Sequence, residues 1–478
     1  MKKLTYIIIS IALFVNGCDI FDGTGTTNPD LTIDRTLGQP NTPDAWVNGL
    51  LEQSASTYNQ YMVSAELATD NYINLETFFN QNVDGGTYRD IDDDFDDTQS
   101  AIATLRENAT FGLNTIIPDA ELTNSPLEAE MHFHKGLANI LAGELFTALP
   151  PSSDTLAVEP RVFFNTAIED FQNAIDASDS DPDADIGYRI ALARAHYNLG
   201  NQSEAVSVSQ NVIAADPGKD FVRFLQFDGV NGPTNTLQNA VFDRASFDDL
   251  QPLPRLDFLD PKYGEQGDQE SPIPMMKVEE AYLIIAEAQL ADNDLPGAQQ
   301  TMLDLLDVVD SRPTRDFNET AEDRGKDDAQ KVNRPDNTNF EVRASSNDPF
   351  KENLVLERTA ATTVPTVSGT SVTADDINNL TDASGDALEL LYLMRQEIFF
   401  GEGRRMVDLG IRWPVSETEA LNNESITDAD RQATIPSYLQ PIDEVAPDMD
   451  SFTVDSTSVT ISTNYNSVIA QQRGNIFQ

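Results

Sequence analysis

Histidine is the first side chain to test for chemistry, because imidazole is the commonest general base and metal ligand at neutral pH. The chain has three. His132 and His134 are two residues apart, so at about 100° per residue on a helix they diverge and cannot share a metal. His196 falls in a helical stretch and reads as a packed residue. Two acidic runs invite a calcium reading: Asp90 to Asp97, and the alternating Asp179, Asp181, Asp183 and Asp185. A calcium-binding EF-hand loop needs Gly at its sixth position and Glu at its twelfth. The first run offers Phe95 and Ala101 there, the second Ala184 and Ile190, so both read as solvated loops or helix N-terminal charge. No Gly-rich phosphate loop precedes a helix. With 80 acidic residues, carboxylate pairs arise by chance, and a glycosidase pair cannot be singled out. The residues point to a non-enzyme with no cofactor and no metal.

Binding chemistry is concentrated between Tyr72 and Arg89. Phe78 and Phe79 are followed by Asn80, Gln81 and Asn82, then by Gly85-Gly86 and Tyr88-Arg89. A flat ring can cover the apolar face of a pyranose while amides bond its hydroxyls. Tyr72, Phe79, Tyr88 and Arg89 are the candidate ligand contacts. The same stretch also reads as two core phenylalanines in a polar loop, and the residues alone leave both readings open.

The elements that must position such a site are helical. Val47 to Ala68 carries a helical pattern, and Ala129 to Leu149 is another helix, ending at Pro150-Pro151. Ala167, Phe171 and Ala174 have the spacing of the second helix of a tetratricopeptide unit. Leu192, Gly200, Ala205 and Pro217 fit a second unit, and Ala205 follows Ala167 by 38 residues, near the ~34-residue period of such repeats. Glu279 to Ala291 and Ala298 to Asp310 form a further pair around the turn Asp292-Asn293-Asp294. A scaffold of stacked helix pairs follows. Arg312 to Ser346 and Thr359 to Ala383 read as surface loops.

From Leu388, an apolar stripe of Leu388, Leu391, Met394 and Ile398 predicts a helix. Arg404, Asp408 and Arg412 are four apart and would stack along one helical side. Gly401 and Gly403 demand either a helix break or the close approach of another backbone.

The composition narrows the class of partner. Thirty basic residues against 80 acidic give a formal charge of −50 over 478 residues, with 40% hydrophobic content. That is enough apolar residue for a real core, and too acidic for phosphate contacts with nucleic acid. Such acidity is also a lever used in saline habitats. At the start, Lys2-Lys3 and the apolar Leu4 to Val15 make a stretch too short to span a bilayer but suited to a signal peptide. Val15-Asn16-Gly17-Cys18 resembles a lipobox, and Cys18, the only cysteine, would take the lipid. Asp19 and Asp22 loosely resemble a surface-export signal. A lipid-anchored chain facing outward from an outer membrane is the expectation, with residues 1–17 as signal peptide and 18–478 as the mature domain.

Arg395-x-Glu397-x-Phe399-Phe400-x-Glu402-Gly403-x-Arg405-x-x-Asp408-Leu409 resembles the C-terminal signature of the SusD/RagB family of nutrient-binding outer-membrane lipoproteins. Glu128 to Ala138, running on to Leu149-Pro150, and Glu280 to Ala288 resemble two further hallmark helices of that family, in the same order. Gly401 and Met406 depart from its pattern. Only Pro441-Ile442-x-Glu444 remains of its tail, and the final Gln-Gln-Arg-Gly-Asn-Ile-Phe-Gln is unfamiliar. The resemblance implies a mostly α fold with tetratricopeptide-like helix pairs and irregular segments facing ligand and partner. It implies capture of an oligosaccharide, or a peptide, for a SusC-like TonB-dependent transporter. Arg395, Glu397, Glu402, Arg405 and Asp408 are then structural. A lipid-anchored assembly adaptor with no small ligand is the alternative.

Overall fold

The computed structural model describes residues 37, 39–74, 81–178, 182–242, 250–264, 269–318, 334–358, 360–383, 385–439 and 449–478. Cys18, Phe78, Phe79 and Asn80 lie outside these residues, as do the Pro441 to Glu444 tail motif and the start of the second acidic run.

Helix α1 (Thr42–Leu67) opens with Pro43 in its first turn, where the missing N–H costs nothing. Helix α2 (Asp93–Phe111) begins with Asp93, Asp94 and Asp96. The first acidic run therefore supplies negative charge at a helix N-terminus, where the backbone dipole favours it. Helix α3 (Pro126–Leu145) starts three residues before the stretch read from sequence, because Ser125 caps it by accepting from the Glu128 amide, with Pro126 following.

The repeat pattern appears as three helix pairs: α3 with α4 (Pro160–Ala177), α5 (Pro182–Asn198) with α6 (Gln202–Ala215), and α7 (Glu279–Ala291) with α8 (Leu295–Asp310). Ala167, Ala205 and Ala298, one in the second helix of each pair, are fully buried. In the first pair the fit is closer still. A Cβ added at Gly136 would lie 2.6 Å from the Phe171 ring, and one at Gly143 would lie 2.7 Å from Phe164. Glycines seven apart on α3 thus receive phenylalanines seven apart on α4, and neither glycine can gain a methyl group without displacing a ring.

Eleven of the thirteen residues of α7 are buried, three of them Glu. Each has its partners. Arg312 donates twice to Glu279 at 2.7 Å, Arg404 donates to Glu280 at 2.6 and 3.2 Å, and Tyr197 and Tyr392 donate to Glu287 at 2.8 and 2.9 Å. Buried charge is tolerable only when paired in this way.

Small sheets tie the irregular segments to the helices. Strand β1 (Tyr72–Asn74) pairs with β3 (Leu250–Pro252), β2 (Val222–Leu225) with β4 (Ile273–Lys277), and β5 (Thr314–Phe317) with β7 (Thr362–Pro365), all antiparallel. Strand β9 (Ser458–Ile461) lies between β8 (Phe452–Asp455), antiparallel, and β6 (Glu341–Arg343), parallel. The unfamiliar C-terminal tail is well anchored. Asn475 and the Ile476 amide bond α7 at Glu287, and Phe477 meets Tyr197 edge-on at 5.6 Å. The main hydrophobic core among the described residues runs from Val47 through Ala470, with two small satellite clusters around Tyr197 and Phe317.

Candidate ligand-binding site

Helix α9 (Asp386–Ile398) carries two stripes. Leu388, Leu391, Met394 and Ile398 enter the core, as their spacing predicts. The helix then stops. Gly401 and Gly403 have φ of 70° and 66°, a left-handed conformation that other residues adopt only at a cost. A Cβ on Gly403 would also lie 2.7 Å from Tyr61. Of the two alternatives posed by these glycines, the helix break holds, and what approaches Gly403 closely is a side chain rather than another backbone.

The break overturns the charge ladder. Helix α10 (Arg405–Leu409) has only five residues, so Arg404, Asp408 and Arg412 share no helical side. Arg404 reaches Glu280 on α7, Asp408 accepts from Arg395 at 2.8 Å, and Arg412 donates to the Gly143 carbonyl at 3.1 Å. Arg405 donates to both oxygens of Asp70 at 2.6 and 3.0 Å, and to Asn466 at 2.8 Å. Glu402 receives the ammonium groups of Lys262 and Lys277 at 2.5 and 2.6 Å. Lys277 also donates to the Ile398 carbonyl at 2.6 Å, and Lys262 to that of Phe400 at 3.0 Å. Cations thus close the C-terminal end of α9, where orphan carbonyls and the helix dipole call for them. Burial lowers Lys277 to about 8. These signature side chains are all at most 5% exposed and lie inside the molecule.

Glu66 joins this cluster, accepting from the Gly403 amide at 2.6 Å and from Asn71 at 2.7 Å. Burial nevertheless pushes its carboxyl up to about 7, above the pull of those donors. A carboxyl raised in the folded state favours folding fully below its unfolded value, near 4.5, and that contribution is lost as pH rises through about 7. The size is on the order of 3 kcal/mol. Glu66→Gln should remove this component. Urea unfolding of wild type and variant at about pH 4.5 and pH 7.5 should show their stability difference changing by roughly that amount; a difference independent of pH would mean that Glu66 does not titrate there.

The second stripe of α9, comprising Asp386, Glu389, Leu390, Leu393 and Glu397, faces a cavity of ≈ 430 Å³, within the 300–1,000 Å³ typical of small-ligand pockets. The segment around β6, Lys351 and Leu354, the loop residue Ser371, Asp376 of the short helix that follows it, and Asn464 and Asn466 complete its walls. The floor is Glu397 and Arg255, 1% and 5% exposed. Glu397 accepts from the Ser371 amide at 2.8 Å, the Ser371 hydroxyl at 2.6 Å and Thr370 at 2.7 Å, so it fixes the loop that closes one wall. Burial raises its carboxyl, while Ser371 and Arg255 pull it down. Burial lowers Arg255, against the attraction of Glu397, Asp70 and Glu389.

Of the candidate contacts read from sequence, Tyr72, Tyr88 and Arg89 do not line this cavity, and Phe79 lies outside the described residues. Tyr72 is 1% exposed, stacked on Phe400 at 4.7 Å, with its hydroxyl 3.3 Å from Asp260. Tyr88 is 8% exposed and donates to the Ala68 carbonyl at 3.2 Å. Both rings are given to the core and present no open face to a sugar. Arg89 is exposed and pairs with Asp92 at 2.6 Å, just before α2. His132 and His134 turn to different neighbours: His132 lies 3.7 Å from Asp170 on α4, and His134 is hydrogen-bonded to Ser54 of α1 at 2.8 Å. The cavity residues other than Glu397 were not read from sequence. The acidic stripe opposite the apolar stripe of α9 was the one local signal of them.

No protein-family model matches the chain, and comparison with curated proteins finds no match. Solved structures do match. A SusD superfamily protein from Bacteroides fragilis superposes with a TM-score of 0.54 at 16% identity, covering 82% of this chain and 100% of that one. A SusD superfamily protein from Bacteroides thetaiotaomicron gives 0.52 at 12% identity, covering 81% and 97%. A Bacteroides vulgatus protein named as a candidate sugar-binding protein gives 0.54 at 12% identity, covering 81% and 97%. The chain has the SusD-like fold, a mostly α architecture built on tetratricopeptide-like helix pairs.

Proposed function

We propose that this protein captures a glycan at the outer face of an outer membrane and delivers it to a TonB-dependent transporter. The observation that carries this reading is the SusD-like fold over four-fifths of the chain, shared with a protein named for sugar binding. The cavity supports it. Carboxylates, amides and a guanidinium line it together with Val342, Leu354, Leu390 and Leu393, a mixture suited to the hydroxyl edge and apolar face of a sugar ring. No helix among the described residues is long and apolar enough to cross a membrane; a lipid on Cys18 would supply the attachment. The helix pairs would form the docking scaffold for the barrel. The work is binding and release, with no chemical step.

Purification of the lipidated protein from detergent-solubilised outer membrane tests the delivery reading. A large β-barrel of the TonB-dependent class should co-purify in stoichiometric amount. Recovery alone, or with periplasmic assembly factors, would replace delivery by the adaptor role.

A further inference from the structure

The charges around the cavity do not balance. Asp348, Asp376, Asp386, Glu389 and Glu397 face Arg255 and Lys351. Lys351 is spent on Asp376, 3.5 Å away. Asn464 donates to Glu389 at 2.7 Å and to Asp348 at 3.4 Å, so one amide nitrogen gathers two carboxylates. Neither of these, nor Asp386, has a cation within 4.0 Å among the described residues. Like charges gathered in this way repel one another, and a positive group placed between them relieves that repulsion. At the floor, Arg255 is 5% exposed yet makes no hydrogen bond or ion pair with any described residue, while its guanidinium senses Glu397 only through space. Its charge is already balanced by that carboxylate. Its nitrogens are not sealed from the cavity, so an acceptor atom of a ligand placed there can reach them.

Resting on the glycan reading above, we infer that this cavity is a subsite for a sugar residue carrying a free amine. The ammonium lies among Asp348, Asp386 and Glu389 at the mouth, and a ring hydroxyl oxygen accepts from Arg255 at the floor. An acidic sugar would satisfy Arg255 but would set its carboxylate against the surplus negative charge. A metal ion is the other cation to consider, but no group of three or more His, Cys, Asp or Glu among the described residues is arranged to hold one. An extended peptide would call for an open strand edge, and the edge beside the cavity is taken: Val342 exchanges both backbone hydrogen bonds with Lys351.

The test is calorimetric titration of the full mature chain with four probes of equal length: glucosamine, N-acetylglucosamine, glucose and galacturonate oligomers. The titration is run at about pH 6, below the ordinary range of a free amine, so that the probe's amine is protonated. The free-amine oligomer should bind at least about tenfold more tightly than its acetylated form, and the advantage should shrink as salt screens it. Glu389→Gln, at the half-exposed mouth, should erase that preference. Arg255→Met should weaken every sugar that binds. Equal affinity for free and acetylated amine, or preference for the uronate, would overturn the amine subsite and leave the glycan reading standing. Binding of none of the four sugars, or binding of a lysine-containing tetrapeptide in their place, would remove the glycan reading itself.

Discussion

Arg405→Met should destabilise the protein by about 3–5 kcal/mol, the cost of leaving one member of a buried ion pair alone. Asp70 is 1% exposed and Arg405 2%, so water cannot take over the abandoned carboxylate. Asn466 would lose its donor at the same time. The double variant Asp70→Leu/Arg405→Met should recover much of that loss, because it removes both desolvation costs and leaves no orphan charge. Chemical denaturation of the two single variants and the double variant, read as a cycle, separates the pair from its surroundings. A single-variant loss below about 1 kcal/mol would place the pair in contact with water.

Trp413→Ala should cost about 3–5 kcal/mol, in the range for emptying a large buried aromatic site, whereas Trp413→Phe should cost much less. Trp413 is wholly buried. It stacks on Phe95 of α2 at 4.7 Å and meets Phe146 edge-on at 5.9 Å. Its backbone bonds Leu145 and Thr147, so it joins the end of the signature segment to the end of α3. Its indole N–H, however, has no partner among the described residues. Phe keeps the stacking and removes an unsatisfied buried donor, whose burial costs about 1–3 kcal/mol; that gain offsets part of the lost volume. Thermal unfolding of both variants checks this, and a Phe variant as damaged as the Ala variant would show that the N–H is satisfied after all.

Sequence reading succeeded where the information is local. The turn at Asp292-Asn293-Asp294 and the helix on either side of it follow from periodicity and turn chemistry, and the two glycines after Ile398 correctly marked an interruption. It failed where partners come from far along the chain. Tyr72 looks like a sugar platform beside its polar neighbours, until Phe400 stacks on it and Asp260 takes its hydroxyl. Arg404, Asp408 and Arg412 look like one helical face until α10 proves to be a single turn. The cavity was least visible, since Arg255, Asp348 and Asn464 come from three distant segments and carry no shared periodicity. Only the stripe on α9 announced it, and an acidic stripe ordinarily means a solvated surface.

The placement of the signature cluster bears on when this chain can fold. Glu66, Asp70 and Asn71 sit at or just past the end of the first helix and bond Gly403, Arg405 and Gln396, more than 300 residues later. The last residues then fasten on Glu287 of α7. A polypeptide still emerging from the ribosome has the N-terminal half of this network without the half that neutralises it. Contacts of such sequence separation are slow to form, so the native state is closed to a partial chain.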